Sequence, residues 1–281
     1  MKTTLAALAP QFDAFLIDQF GVLLNGDGAY PEAPAALAQL AGMGKQVLLL
    51  SNSGKRAEPN VARLTGLGFE RSSYLTVLSS GEAAFAHIQS RIGRDIARNA
   101  AVWLHSRDGD LSPVMGLDVT LVNAPEQAEL MIIAGSQGDE ISLDQYRNML
   151  APAAKKRVPA FCTNPDMTML TPSGPQIGAG RIAEIYQDLG GQVSYVGKPF
   201  PLIYRVARDM LRQPEPRKVL CIGDSPAHDV AGGKAAGFAT ALVRTGLHAG
   251  LSDTALFEHC ASSATPDFIL PDFSFTRPEC P

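Results

Sequence analysis

Short apolar runs alternate with helical stretches that end on glycine, and this alternation constrains the chain more than any other feature. Residues 14–24 read as a strand, short and continuously apolar, and 34–43 as a helix stopped by Gly44. Residues 46–50 form a second apolar run, closed by the polar turn Ser51-Asn52-Ser53-Gly54, and 58–67 read as a helix ended by Gly68. Apolar strands separated by helical crossovers are what a parallel sheet covered on both faces requires. The same grammar returns late in the chain, with strands at 219–222 and 240–243, a polar turn at 223–229 and a short helix at 232–236. Between these parts the chain carries a set of its own. Strands are predicted at 101–104, 119–122, 130–134 and 160–163, and helices at 80–91, 142–155 and 180–188. The expected architecture is α/β: a parallel-sheet core over 1–75 and 194–281, with a second α/β unit inserted over 76–193.

Bulk properties exclude some functions. A length of 281 residues supports two domains, and a formal charge of −4 with no basic block argues against nucleic acid or an anionic membrane as the main partner. No run approaches the roughly 18 apolar residues of a membrane span. The apolar start of the chain is broken by Pro10 too early for a secretory signal, and a short first helix is expected instead. Cys162, Cys221, Cys260 and Cys280 are scattered without metal-finger spacing. Cys221 lies inside an apolar run and reads as a small core residue; reduced thiols fit a cytoplasmic protein. The segment 268–273 reads as a last edge strand.

Ligands of open parallel sheets bind at the carboxyl ends of the strands, so polar groups that follow apolar runs carry weight. Four such clusters occur: Asp18, Ser51 with Asn52, Lys198 after Val196-Gly197, and Asp224 with Asp229. Each alone reads as a cap or a turn. Together they offer a carboxylate nucleophile, a hydroxyl, an amide, a cation and two further acids. Those are the parts that hold a phosphate against a hard oxygen-liganded cation such as Mg²⁺.

The order Asp-x-x-Gly, Ser-Asn, Gly-Lys-Pro and Gly-Asp-Ser-x-x-x-Asp resembles the haloacid dehalogenase (HAD) superfamily of phosphohydrolases. The likeness is strongest at Gly197-Lys198-Pro199 and from Gly223 to Asp229. The insertion point, with Thr163-Asn164-Pro165-Asp166 and Gly178-Ala179-Gly180, is similar to the type IIA, or NagD-like, phosphatases. The resemblance implies a Rossmann-like HAD core with a C2-type cap and a magnesium-dependent hydrolase acting on a small phosphorylated metabolite. Homodimers joined through the cap are common in the subgroup, so a homodimer is an expectation.

Carried onto this sequence, the resemblance makes Asp18 the nucleophile that forms an aspartyl-phosphate. It has the metal held by Asp18, the backbone carbonyl of Phe20, Asp224 and Asp229. Ser51 and the amide of Asn52 bind the phosphoryl oxygens, and Lys198 neutralises charge on both Asp18 and the phosphate. Asn164 and Asp166 are the cap candidates for substrate binding, although Asn-Pro and Pro-Asp pairs read equally as turns. The loop 171–174 is a further cap candidate. Trp103, His105, Arg107 and Asp108 mark another polar strand end, with substrate contact as one reading. Gly178-Ala179-Gly180 reads as a close approach or a helix entry.

Phe20 departs from the pattern. Most phosphatases of the family carry an Asp there, which protonates the leaving oxygen and then activates water; losing such a group costs about 10²–10⁴ in rate. Three readings follow. The protein is a phosphatase in which water or another group, His228 being nearest by motif, moves the proton. It is a low-activity or non-catalytic relative that binds a phosphorylated ligand. Or it displaces halide at Asp18, as the aromatic residue of the dehalogenases would allow, although metal-type acids at 224 and 229 speak against that.

Overall fold

The computed structural model describes residues 1–171 and 173–275; Pro172 and Cys280 lie outside the described residues. In chain order the strands are β1 (Ala14–Asp18), β2 (Gln46–Ser51), β3 (Val77–Ser79), β4 (Ala100–His105), β5 (Val119–Leu121), β6 (Leu130–Ile133), β7 (Pro159–Cys162), β8 (Thr168–Thr171), β9 (Gly174–Ile177), β10 (Gln192–Tyr195), β11 (Val219–Gly223), β12 (Ala239–Val243) and β13 (Phe268–Leu270). The chain divides into two compact units. The first comprises 1–51, 58–78 and the chain from Lys198 onward; the second comprises 52–57 and 79–197.

The first unit is built on a six-stranded sheet in the order β13-β12-β11-β1-β2-β3. β1 runs parallel to both β2 and β11, with Ile17 opposite Ile222 and Asp18 opposite Leu50. Chain order proceeds outward from β1 in one direction and from β11 in the other, so the order reverses between these two strands. A ligand crevice forms at such a reversal, outside the carboxyl ends of the strands. Asp18 closes β1, and Asp224 follows β11 directly. Leu16, Ile17, Leu48, Leu49, Leu220 and Ile222 are all buried, as strands covered on both faces must be. β13 is an edge strand, yet Leu270 and Phe273 are buried against the core.

The expected strand over 14–24 ends at Asp18. Val22, Leu23 and Leu24 are just as buried, but in a hydrogen-bonded turn in which Leu23 and Leu24 donate to the carbonyl of Gln19. Gly21, at φ +78°, takes a left-handed conformation that breaks the strand. The short first helix spans Leu5–Leu8 and passes at Pro10 into a single 3-10 turn. The helices Pro201–Met210 and Asp253–Ala261, not anticipated from the sequence, complete this unit.

The second unit has its own parallel sheet, in the order β10-β7-β6-β4-β5, and an antiparallel β8–β9 hairpin. Its helix Ser80–Arg91 is capped by Ser79, whose hydroxyl accepts from the amide of Glu82, and Leu143–Lys155 begins with a capping box between Ser142 and Gln145. Residues 52–57 group with this unit rather than with the core expected over 1–75. The cause is a clasp: Arg56 donates to both carboxylate oxygens of Glu82, at 2.7 and 2.9 Å, and the amide of Ala57 adds a third bond. The Arg56 guanidinium also lies 3.5 Å over the ring of Phe85. Glycines at 54 and 81 make the approach possible, since a Cβ on Gly81 would stand 2.0 Å from the carbonyl of Gly54.

Cys162, Cys221 and Cys260 are buried and free of disulfides. No helix among the described residues is long and apolar enough to cross a membrane.

Candidate active site

Three carboxylates converge in the first unit. Asp18, Asp224 and Asp229 each offer an oxygen, and these lie within 4.8 Å of one another. Lys198 Nζ stands 2.7 Å from Asp18 Oδ1 and donates at 2.8 Å to Asp229 Oδ1, with Lys198 buried. Asp18 comes from the end of β1 and Asp224 from the end of β11. Asp229 comes from the π-helical turn Pro226–Val230, whose N-cap is Ser225. The amide of Ser225 donates to Asp229 Oδ2 at 3.2 Å and fixes its second oxygen. Ser51 closes β2 beside Asp18 and is buried.

Glycines make room for this cluster. A Cβ on Gly21 or on Gly246 would lie 2.1 Å from Asp224 Oδ2, and one on Gly223 would lie 2.0 Å from Asp229 Cγ. Thr245 ties the first of these turns down by donating to the carbonyl of Gly21 at 2.5 Å. Gly21 and Gly246 both have positive φ, so the backbone folds tightly around the Asp224 carboxylate on two sides.

The electrostatics call for a further cation. Burial pushes the Asp18 carboxyl up to about 8; Lys198 opposes this, while Asp229 and Asp224 add repulsion. Burial works to lower the Lys198 ammonium, but Asp18 and Asp229 more than reverse it and keep the group cationic. Asp18 is thus short of compensating charge even beside Lys198, with Asp229 and Asp224 adding repulsion. Carboxylate oxygens in a cradle too tight for a Cβ suit a hard divalent cation such as Mg²⁺. Asp18, Asp224 and Asp229 fit that role.

Asn52, Asn164 and Asp166 belong to the second unit. In the second unit, Asn52 donates to Asp166 Oδ1 at 2.8 Å, and Asn164 Oδ1 accepts from the Asp166 amide at 3.2 Å. The Asn164 side chain thus bonds the backbone two residues on, and the Asp166 carboxylate holds the Asn52 side chain. Gly178 and Gly180 serve close approach, because a Cβ on either would stand 2.2 Å from the carbonyls of Asp166 and Pro165 respectively. Trp103 and His105 are not an open polar strand end: both are buried, their rings stack, and His105 Nε2 lies 3.0 Å from Tyr146 Oη. Arg107 is engaged by Asp139 and Asp108. His228 sits next to Asp229, with its amide bonded to Ser225 and its carbonyl accepting from Tyr204.

Around Phe20 the structure shows residues that the sequence did not single out. Gln19 is fully buried, and its Oε1 accepts from Arg63 Nη2 at 2.5 Å. The Arg63 guanidinium lies 5.0 Å over the Phe20 ring, which is 48% exposed. Phe20 therefore presents an apolar ring, with no proton to give, two residues after Asp18.

A family model described as haloacid dehalogenase-like hydrolase matches residues 15–120, which include Asp18 and Ser51. A second, described as HAD-hydrolase-like, matches 195–275, which include Lys198, Asp224 and Asp229. The chain belongs to the haloacid dehalogenase superfamily. Within it, this HAD protein is a phosphatase-like hydrolase of the type IIA, NagD-like subgroup. It is similar to Chronophin of Mus musculus, 26% identical over 84% of this chain and 82% of that protein. It is also similar to the sugar-phosphatase AraL of Bacillus subtilis, 29% identical over 91% of this chain and 88% of that one. Among solved structures, p-nitrophenyl phosphatase from Archaeoglobus fulgidus superposes with a TM-score of 0.75 at 26% identity, over 94% of this chain and 97% of that one. The HAD motifs thus reside in two separated stretches of sequence that the fold brings to one sheet reversal.

Proposed function

We propose that this protein hydrolyses a small phosphorylated metabolite through an aspartyl-phosphate on Asp18, in a magnesium-dependent reaction that lacks a side-chain acid at position 20. The observation that carries this reading is the Asp18–Lys198–Asp229 chain of contacts beside Asp224. The names of the relatives support phosphate esters as the substrate class.

In this reading an Asp18 carboxylate oxygen forms a bond to phosphorus as the bond to the leaving oxygen breaks. Lys198 meets the negative charge of both partners, and Ser51 donates to a phosphoryl oxygen. Asp18, Asp224 and Asp229, with the carbonyl of Phe20, would hold Mg²⁺, which supplies charge compensation when bound. The leaving oxygen takes its proton from water, because Phe20 has none to give. Water then attacks the acyl phosphate, which releases inorganic phosphate and restores Asp18. Halide displacement has no use for the acids at 224 and 229, and their convergence on Asp18 disfavours it.

The test is a panel of phosphate esters assayed with Mg²⁺ and with EDTA, for wild type and Asp18→Asn. The reading expects inorganic phosphate release that needs Mg²⁺ and vanishes in the variant. Equal background in both proteins would leave a non-catalytic phospho-ligand binder as the surviving account.

A further inference from the structure

The first unit holds a cavity of about 180 Å³. That is well above the roughly 10–15 Å³ that one water needs. Its walls come from one face of the helix Pro201–Met210, from Gly232, Ala235 and Ala236, and from Phe238. The wall is aromatic and aliphatic on one side, where Tyr204 and Phe238 meet edge to face at 6.3 Å between ring centroids. Gly232 admits the phenol, since a Cβ there would stand 2.3 Å from Tyr204 Oη.

Two guanidinium groups supply the other side. Arg205 and Arg208, three apart on one helix, both line the cavity. Arg208 Nε is buried and has no hydrogen-bond partner among the described residues. A buried donor without an acceptor is disfavoured unless something supplies one. The acid of the same helix, Asp209, does not: its Oδ1 accepts from Gln213. Two arginines beside an apolar wall form a recognition pattern. The planar fork accepts an oxyanion in bidentate fashion and the wall receives a carbon skeleton.

We propose that this cavity is a binding site for a small organic oxyanion, a compact aliphatic or aromatic group bearing one carboxylate, held by Arg205 and Arg208 against Tyr204 and Phe238. The site is separate from the carboxylate cluster and does not depend on the phosphatase reading. It lies close to the catalytic groups along the chain: Pro199, in its wall, follows Lys198, and Tyr204 Oη donates to the carbonyl of His228, the neighbour of Asp229.

The probe is 4-fluorobenzoate, followed by ¹⁹F NMR on the full-length protein. Wild type is expected to broaden its signal in a saturable way, and benzyl alcohol, which has the ring without the charge, is expected not to compete. Arg205→Gln with Arg208→Gln is expected to weaken binding at least tenfold while the circular dichroism spectrum stays unchanged. Arg208→Lys keeps the charge but loses Nε, and is expected to weaken it at least threefold, which preserves the test if the double variant folds poorly. Absence of saturable broadening, or equal broadening in both variants, overturns the proposal.

Discussion

Lys198 Nζ stands 2.7 Å from Asp18 Oδ1, and the two side chains are only 4% and 14% exposed. The lysine reaches Asp229 at nearly the same distance, so it neutralises two carboxylates that burial alone would discharge. Its removal and the removal of Asp18 should therefore differ. Asp18→Asn leaves Lys198 paired with Asp229, and its stability is expected within about 1 kcal/mol of wild type, because one ion pair of the buried set survives. Lys198→Met removes the ammonium that Asp18 and Asp229 share and is expected to cost about 3 kcal/mol in metal-free buffer. Both should abolish hydrolysis. Urea unfolding with EDTA, beside a phosphate-release assay, separates the two effects.

Phe20 makes a prediction about leaving groups. Without a side-chain acid, the rate should track how well the leaving oxygen bears negative charge. Aryl phosphates with acidic phenols are expected to turn over much faster than alkyl phosphates. Phe20→Asp should raise alkyl phosphate hydrolysis by about 10²-fold, toward the range assigned to general acid–base catalysis, and change the best aryl phosphate little. Equal gains on both substrate classes would show that the variant acts through something other than proton transfer. The Arg63 guanidinium over the Phe20 ring would then become a partner of the new carboxylate, and Arg63→Met in the Phe20→Asp background would reveal it.

The parts of the fold carried by local pattern were legible in advance. Asp18 stood out because a carboxylate after the buried run Phe15-Leu16-Ile17 has no business in a strand interior, and Asp224 stood out in the same way after Ile222. The turn from Gln19 to Leu24 was not legible as a turn, since Val22 to Leu24 are as apolar as a strand and only the φ of Gly21 tells them apart. The β8–β9 hairpin was missed because Pro175 lies within it and two of its strand residues are glycine and proline, poor strand signals. Arg56 and Glu82 are 26 positions apart, and nothing in either neighbourhood marks the clasp that draws 52–57 into the second unit. The helix Pro201–Met210 does have a signal in hindsight: proline at its first turn, then Ile203, Tyr204 and Ala207 on one buried face. Pairings such as Gln19 with Arg63 depend on which elements meet, and sequence pattern alone does not encode that.

Gly21 should be intolerant of any side chain. At φ +78° an alanine is strained by about 1–2 kcal/mol, and its Cβ would in addition fall 2.1 Å from Asp224 Oδ2. The carboxylate must move, and with it a ligand of the inferred cation site. Gly21→Ala is expected to weaken Mg²⁺ binding at least tenfold and to lose hydrolysis. Gly42→Ala, inside the helix Ala33–Gly42 with nothing within 4 Å of the added carbon, is the contrast. It should stabilise by about 0.5–1 kcal/mol and leave Mg²⁺ binding alone. Isothermal titration with Mg²⁺ and thermal unfolding measure both quantities on the same samples.

His105 should make the second unit sensitive to mild acid. Burial lowers its pKa to about 4 from the ordinary value of 6.5, and its Nε2 lies 3.0 Å from Tyr146 Oη. The folded form therefore resists a proton that the unfolded chain accepts. Between pH 6.5 and 4 the unfolded state binds more protons, so stability falls as pH falls and the loss levels off below the folded value. A difference of roughly 2.5 units corresponds to about 3 kcal/mol at most. His105→Gln keeps a polar group near Tyr146 and removes the titration. Carboxylates elsewhere also titrate in acid, but they do so equally in wild type and variant. The stability difference between the two proteins, measured by urea unfolding at pH 7.5, 6, 5 and 4, is expected to shift toward the variant by about 2–3 kcal/mol across that range. A constant difference would mean that His105 titrates in the folded protein as it does in the open chain.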